Sequence, residues 1–308
     1  MQSPLLDLPF SEYRFLFQAD EKISFPEYTG SMWRGAFGHA LMELACCGSK
    51  PHLPWCPYSQ LFEAEQHNFV DNELTLTYKT LPVPYVFKVQ RQPAREASKG
   101  DWFSVDLLLI AQANQHLVLV IDAMQRIAKV GIGKGKGRAQ LKEVVQQNAF
   151  GNQSLIYADG LHFKPDCLTT IPVVTPSTAA RIHIETPLNI RNDEKEFSTE
   201  RFLMGVVRRI SLLQRIYGNT LADVDYVWLK HQSALVESKA SVWVDGWKKH
   251  SSRQGAYQPV RGWMGDVFLQ GEALQSFWPY LYLGQWVHTG KMTNIGLGRY
   301  QLQRVTVS

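Results

Sequence analysis

The sequence predicts an α+β protein made of two tandem copies of one unit, each with an antiparallel sheet. Three observations carry this. A ten-residue phrase occurs twice: Gly135-Lys-Gly-Arg138-Ala-Gln140-Leu141-Lys-Glu-Val144 and Gly296-Leu-Gly-Arg299-Tyr-Gln301-Leu302-Gln-Arg-Val305 both read G-x-G-R-x-Q-L-x-x-V, 161 positions apart. Trp102 and Trp263 lie 36 positions before Arg138 and Arg299 and keep the same offset. A fixed spacing over such a stretch marks a duplicated structural unit. Each half also repeats one order of strands and helices around its glycine phrase.

The elements follow in order. On the first side Tyr13, Phe15 and Phe17 alternate with Arg14, Leu16 and Gln18, the period of a half-buried strand. A helix is expected from about residue 31 to 47, with Ser31 as N-cap and Gly48 as stop. Leu74, Leu76 and Tyr78 alternate with Thr75, Thr77 and Lys79 and predict the next strand. Residues 85–89 and 103–110 read as further strands, before a helix-like stretch, the glycine phrase and a last strand. On the second side Ile182 and Ile184 alternate with Arg181, His183 and Glu185, and a helix runs from about Ser198 to Tyr217, stopped by Gly218. Residues 267–269, 277–287 and 290 onward match the later elements of the first side. Residues 167–180 collect proline and threonine without a helical period, so they read as a linker between domains 1–166 and 181–308. The order approximates β-α-β-β-α-β, the ferredoxin-like (RRM-like) plan.

Bulk properties narrow the function. The 308 residues carry a net charge of only +4, with 45% hydrophobic and 19% charged residues, as in a globular protein. The basic residues cluster. Lys129, Lys134, Lys136, Arg138 and Lys142 surround the first glycine phrase, and Lys248, Lys249, His250, Arg253 and Arg261 form a second group. Arg201, Arg208 and Arg215 recur every seven residues opposite Phe202, Val206, Ile210 and Leu213. Local patches of this kind fit a polyanion, and nucleic acid is the commonest one. The most apolar stretch, residues 105–124, is broken by Gln112, Asn114, Gln115 and His116, and no signal peptide opens the chain. A cytoplasmic protein with reduced thiols and no membrane partner is expected. Cys47, His52 and Cys56 offer three zinc ligands, with Cys46 or Cys167 as a fourth. Their spacing matches no zinc signature well, so plain thiols, no metal and no cofactor are expected. The first glycine phrase lacks the G-K-[ST] of a mononucleotide loop. The glycines of both loops permit positive φ and are expected to leave backbone N–H groups open to phosphate oxygens.

Gly284-Gln-Trp-Val-His288-Thr-Gly290-Lys291-Met-Thr293-Asn-Ile-Gly296-Leu-Gly298-Arg-Tyr300 resembles the C-terminal glycine-rich signature of the RAMP superfamily. Gly30-Ser-Met-Trp-Arg34-Gly35-Ala-Phe-Gly38-His39-Ala-Leu, Cys56-Pro-Tyr58-Ser-Gln-Leu-Phe62-Glu and Pro84-Tyr-Val-Phe87 resemble segments of the CRISPR-associated endoribonuclease that processes precursor CRISPR RNA. The resemblance implies two ferredoxin-like domains and a CRISPR repeat RNA as partner, alone or beside other CRISPR effector subunits. It implies metal-independent cleavage by the adjacent 2′-hydroxyl, leaving a 2′,3′-cyclic phosphate and a 5′-hydroxyl. A non-catalytic RAMP subunit that scaffolds guide RNA is the alternative.

Such chemistry asks for a base, and histidine is the usual agent near neutral pH. His39 is the first candidate. Trp33, Phe37, Ala40, Leu41 and Leu44 share one apolar face of the first helix, and His39 falls off that face. Gly35, one turn earlier, leaves the surface beside it bare. The family tends to carry its catalytic histidine on or near this helix and often pairs it with lysine or tyrosine. Lys50 is therefore a candidate for stabilising the phosphorane, and Tyr28 for positioning the ribose or sharing proton transfer. His288, before the second glycine loop, is the rival base. The RNA-binding candidates are Lys134, Lys136, Arg138, Arg253, Arg261, Gly290, Lys291, Thr293, Gly296, Gly298 and Arg299. The family grips repeat RNA with arginines on a hairpin, which implicates Arg253 and Arg261 before Trp263. The remaining histidines read as structural or solvated.

Overall fold

The computed structural model describes residues 7–63, 81–89, 92–148, 151–168, 175–190, 196–218, 223–251 and 256–305. The strand expected at residues 74–79, and Arg253, lie outside them. The chain divides into two compact units, Leu8–Thr170 and Met1–Asp7 together with Ile171–Ser308.

In the N-terminal unit the order is β1 (Phe10–Ala19), β2 (Ile23–Phe25), α1 (Gly30–Ala45), β3 (Tyr85–Lys88), β4 (Arg95–Ala97), β5 (Trp102–Ile110), α2 (Leu117–Val130), β6 (Ala139–Gln147), β7 (Gln153–Ala158) and β8 (Leu161–His162). The main sheet runs β3-β5-β1-β6-β7-β8, antiparallel at every pairing. The four strands β3-β5-β1-β6 have the ferredoxin-like order, and β7–β8 extends the sheet beyond β6. The alternation of β1 decides which face is core. Tyr13, Phe15 and Phe17 are at most 1% exposed, and the other face holds the Arg14–Asp106 ion pair at 2.7 Å. α1 lays Trp33, Phe37 and Leu41 on the apolar face. Trp33 stacks on Phe17 at 5.7 Å between centroids, and Phe37 meets Tyr85 and Phe87 edge-on at 5.4 and 5.6 Å. Aromatic contacts of this geometry add about 0.5–1.5 kcal/mol each beyond the area they bury. α2 buries Val120, Ile121, Met124 and Ile127.

In the C-terminal unit the order is β9 (Ala179–Leu188), α3 (Thr199–Tyr217), α4 (Tyr226–Ala234), β10 (Glu237–Ser251), β11 (Ala256–Gln270), α5 (Trp278–Val287) and β12 (Tyr300–Arg304). The sheet runs β10-β11-β9-β12, again the ferredoxin-like order. The Ser198 hydroxyl caps α3 by accepting from the Arg201 N–H at 3.3 Å, and the helix ends before Gly218 as its sequence predicts. Arg201, Arg208 and Arg215 are exposed while Phe202, Val206, Ile210 and Leu213 are buried. β11 pairs with β9 only from Trp263 onward, so residues 256–262 continue with β10 alone as a two-stranded ribbon.

The duplication is visible where each glycine phrase meets the first strand. The Arg138 carbonyl accepts from the N–H groups of Asp20 and Glu21 at 2.9 and 3.2 Å. The Arg299 carbonyl accepts from Glu185 and Thr186 at 2.9 and 3.4 Å. The tryptophans do not keep the equivalence. Trp102 lies opposite Gln18, but a bulge in the β9–β11 pairing sets Trp263 opposite Leu188. α1 also departs from expectation at both ends. It begins at Gly30 with Thr29 as N-cap and ends at Ala45, because Cys46 is already extended.

Gly35 sits inside α1 with no atom within 4 Å of where a Cβ would be. Glycine in a helix interior costs roughly 0.5–1 kcal/mol against alanine. Gly35→Ala is therefore expected to raise the unfolding free energy by about that much in urea titration.

Candidate active site and glycine-rich loops

α1 is held by its aromatic face, and this fixes what it presents to solvent. His39 is exposed, and helical spacing places it in line with Gly35 and Glu43. Glu43 accepts from Arg126 of α2 at 2.9 Å, which ties the two helices beside His39. Across the helix Arg34 lies 4.5 Å over the Phe62 ring, and that ring fills the space a Cβ at Gly38 would need. Lys50 is exposed in the loop after α1. Tyr28 is different. It is 5% exposed with its hydroxyl oxygen enclosed, so a role in proton transfer would require it to leave its place in the core.

His288 is 0% exposed. Its Nδ1 lies 3.2 Å from the Leu297 carbonyl, closing the glycine loop from inside. Burial argues against its acting as a base on a bound strand. The expectation that glycine N–H groups stay open fails in the C-terminal loop at Gly296 and Gly298. Thr289 N–H donates to Gly298, Lys291 to Asn189, Gly296 to Thr293, and Gly298 to Pro187. The Arg299 N–H donates to the Thr186 hydroxyl at 2.9 Å. The glycines serve close packing instead. Gly298 has φ +70°, and a Cβ there would sit 1.7 Å from the Thr289 carbonyl oxygen. Gly290 has φ +84°, and its Cβ would meet the Asn189 carbonyl oxygen at 2.6 Å.

The cations divide in the same way. In the C-terminal loop Lys291 is exposed, whereas Thr293, Gly296 and Gly298 are buried and Arg299 pairs with Glu185. Arg261 is exposed on the β10–β11 ribbon. Around the first loop Lys134, Lys136 and Arg138 are all exposed. Arg138 pairs with Glu21 at 2.6 Å and draws that carboxyl below its usual range, chiefly by hydrogen bonding. The pair is solvated, so an incoming phosphate can exchange for Glu21 at little cost. Sequence reading passed over Trp243. It is 57% exposed on β10, and Trp55 and Trp102 are exposed to a like degree, at 67% and 55%. The only sign in the sequence was its place in an alternating strand.

Two ferredoxin-like units, with a glycine-rich turn running from α2 into β6 in one and from α5 into β12 in the other, define a RAMP-type protein. Residues 8–167, more than half of the chain, match the N-terminal domain model AF_1859_N, and residues 182–300 match the model of the CRISPR-associated endoribonuclease Cas6. The chain therefore belongs to the CRISPR-associated RAMP-type proteins that process precursor CRISPR RNA, and this places it among RNA endonucleases. No curated protein matches it. Among solved structures, a Cas6 product complex has a TM-score of 0.53 at 13% identity, covering 96% of this chain and 99% of that one. Thermus thermophilus Cas6 gives 0.52 at 11% identity, with the same two coverages. A partial Cas6-RT-Cas1–Cas2 complex gives 0.58 at 12% identity, covering 99% of this chain but 47% of that one. At these identities the likenesses show the fold. Among the described residues, no helix is long and apolar enough to cross a membrane.

Gly298→Ala is expected to destabilise the C-terminal unit by more than the ~1–2 kcal/mol of left-handed strain alone, because the methyl also strikes a carbonyl. Gly135 also has positive φ, +102°, but open space around it, so Gly135→Ala should cost only the strain. The difference between their melting temperatures reads the clash directly.

Proposed function

We propose that this chain cuts precursor CRISPR RNA within its repeats without a metal ion in the chemical step, by attack of the 2′-hydroxyl on the adjacent phosphate. The observation that carries the reading is the imidazole of His39, exposed beside the bare Gly35 position on α1. In this reading neutral His39 takes the 2′-hydroxyl proton as the 2′-oxygen attacks phosphorus. The bond to the 5′-oxygen breaks, that oxygen takes up a proton, and a 2′,3′-cyclic phosphate and a 5′-hydroxyl result. The ammonium of Lys50 supplies charge beside the phosphorane. Tyr28 and His288 are assigned structural roles, because both are enclosed. Lys134, Lys136, Arg138, Arg261 and Lys291 contact phosphates and set affinity rather than sequence. Gly290, Thr293, Gly296, Gly298 and Arg299 shape the loop that displays Lys291. CRISPR repeat RNA is the substrate, and other CRISPR subunits are the expected protein partners.

With repeat RNA and EDTA present to hold magnesium, the wild-type chain should produce cyclic-phosphate ends. His39→Ala should slow single-turnover cleavage by roughly 10²–10⁴-fold and leave the RNA dissociation constant nearly unchanged. A strict requirement for magnesium, or cleavage by His39→Ala at the wild-type rate, contradicts the reading. RNA that is bound but never cut by wild-type protein supports the scaffold alternative. Lys50→Ala should lower the rate by about 10²-fold. Replacing Lys134 and Lys136 together should weaken binding of all RNAs alike and flatten its salt dependence by about two counterions.

A further inference from the structure

The loop that follows α1 gathers four soft ligands around one point. The Sγ atoms of Cys46, Cys47 and Cys56 lie 3.7, 3.5 and 3.9 Å from a single atom, Nδ1 of His52. Nδ1 has one N–H or one lone pair and can serve only one of them by hydrogen bonding. A tetrahedral zinc ion asks for the spacing found. With Zn–S near 2.3 Å and Zn–N about 2.0–2.1 Å, neighbouring sulfur and nitrogen ligands stand roughly 3.6 Å apart. The ligand atoms of Cys46, His52 and Cys56 all fall within 4.8 Å of one another, a cluster sized for one ion, and Cys47, outside that mutual group, approaches it at His52 Nδ1.

Two independent features point the same way. Each sulfur receives a backbone N–H: Gly48 to Cys46 at 3.4 Å, Leu53 to Cys47 at 3.5 Å and Cys47 to Cys56 at 3.4 Å; the Cys56 thiol also donates to the Ala45 carbonyl at 3.8 Å, a contact given up when that proton leaves on metal binding. The other ring nitrogen of His52, Nε2, faces Glu63 Oε2 at 3.3 Å, and Glu63 accepts from the Tyr58 hydroxyl at 3.1 Å. A carboxylate behind a ligating histidine fixes its ring and raises its basicity. His52 and Cys56 are buried, so the cluster is part of the interior and not a surface coincidence.

We propose that Cys46, Cys47, His52 and Cys56 bind one zinc ion as a Cys₃His site, with the three thiol protons released to solvent. Four protein ligands close the coordination sphere, so the ion is structural and stands outside the RNA chemistry. It clamps the end of α1 to the segment that carries Phe62 back against Gly38. It also fixes the loop between Cys47 and His52 that displays Lys50. Only that last consequence rests on the proposed cleavage reaction; the ion itself does not.

The test is metal content, which is read independently of cleavage. Untagged protein purified under reducing conditions without chelator should contain one zinc per chain by mass spectrometry. Exchange with Co²⁺ should give intense visible bands of tetrahedral cobalt and near-ultraviolet thiolate charge transfer. Cys47→Ser and Cys56→Ser should each lose the stoichiometric ion or the charge-transfer intensity, while Cys167→Ser keeps both. Should a serine variant fail to fold, the wild-type cobalt spectrum decides alone. Protein that holds no zinc and takes up neither Zn²⁺ nor Co²⁺ when reduced overturns the proposal. So does a cobalt spectrum without thiolate charge transfer, or metal retained equally by the serine variants.

Discussion

The rotation of α1 about its own axis is the constraint on which the account depends. Trp33, Phe37 and Leu41 are at most 2% exposed, locked among Phe17, Tyr85 and Phe87 of the sheet. Turning the helix to bury His39 would lift those rings out of a packed aromatic cluster. At about 1.5–3 kcal/mol for each large apolar side chain brought into water, no local polar contact offsets that change. The sheet therefore decides that an imidazole faces solvent with a bare glycine one turn away. The function proposed here follows from that orientation.

The C-terminal unit works by a different rule. Its glycine phrase is a packing device. Gly290 and Gly298 allow backbone to meet backbone at distances no side chain tolerates, and His288 seals the loop from within. What the loop leaves exposed is the ammonium of Lys291, the group assigned to phosphate contact in the proposed function. The first glycine phrase is its counterpart and packs in the same way at Gly131, Gly133 and Gly137, where an added Cβ would strike backbone carbonyls of Lys136, Ser24 and Lys22. Lys134, Lys136 and Arg138 all face solvent, and Gly135 has open space around it. The two copies of the turn are thus both close-packed, and the first displays more exposed cations.

Much of this was legible in the sequence. The alternations in β1 and β9 gave both first strands, and Ser198 and Gly218 marked α3 at both ends. The repeated phrase identified a unit whose two copies share the same carbonyl clasp at Arg138 and Arg299. His39 fell off the apolar face by helical arithmetic alone. What was hidden depended on partners distant in the chain. The N–H groups of Lys291, Gly298 and Arg299 are answered by Asn189, Pro187 and Thr186, far back in the chain. Nothing in the local sequence announces that. The short helix α4 has too weak an apolar stripe to be recognised, and the burial of Tyr28 and His288 is a tertiary fact. The cysteine spacing looked unlike a metal site because it spans the end of a helix, where the turn of the chain brings adjacent and distant sulfurs onto one imidazole.

The most direct measurement is NMR of the histidine ring protons during titration with a repeat RNA carrying a 2′-deoxy nucleotide at the cut, which cannot react. The His39 resonance is assigned by its disappearance in His39→Ala. The account predicts that it shifts on saturation while the His288 resonance stays in place. An RNA that binds tightly and leaves the His39 ring unmoved would contradict it.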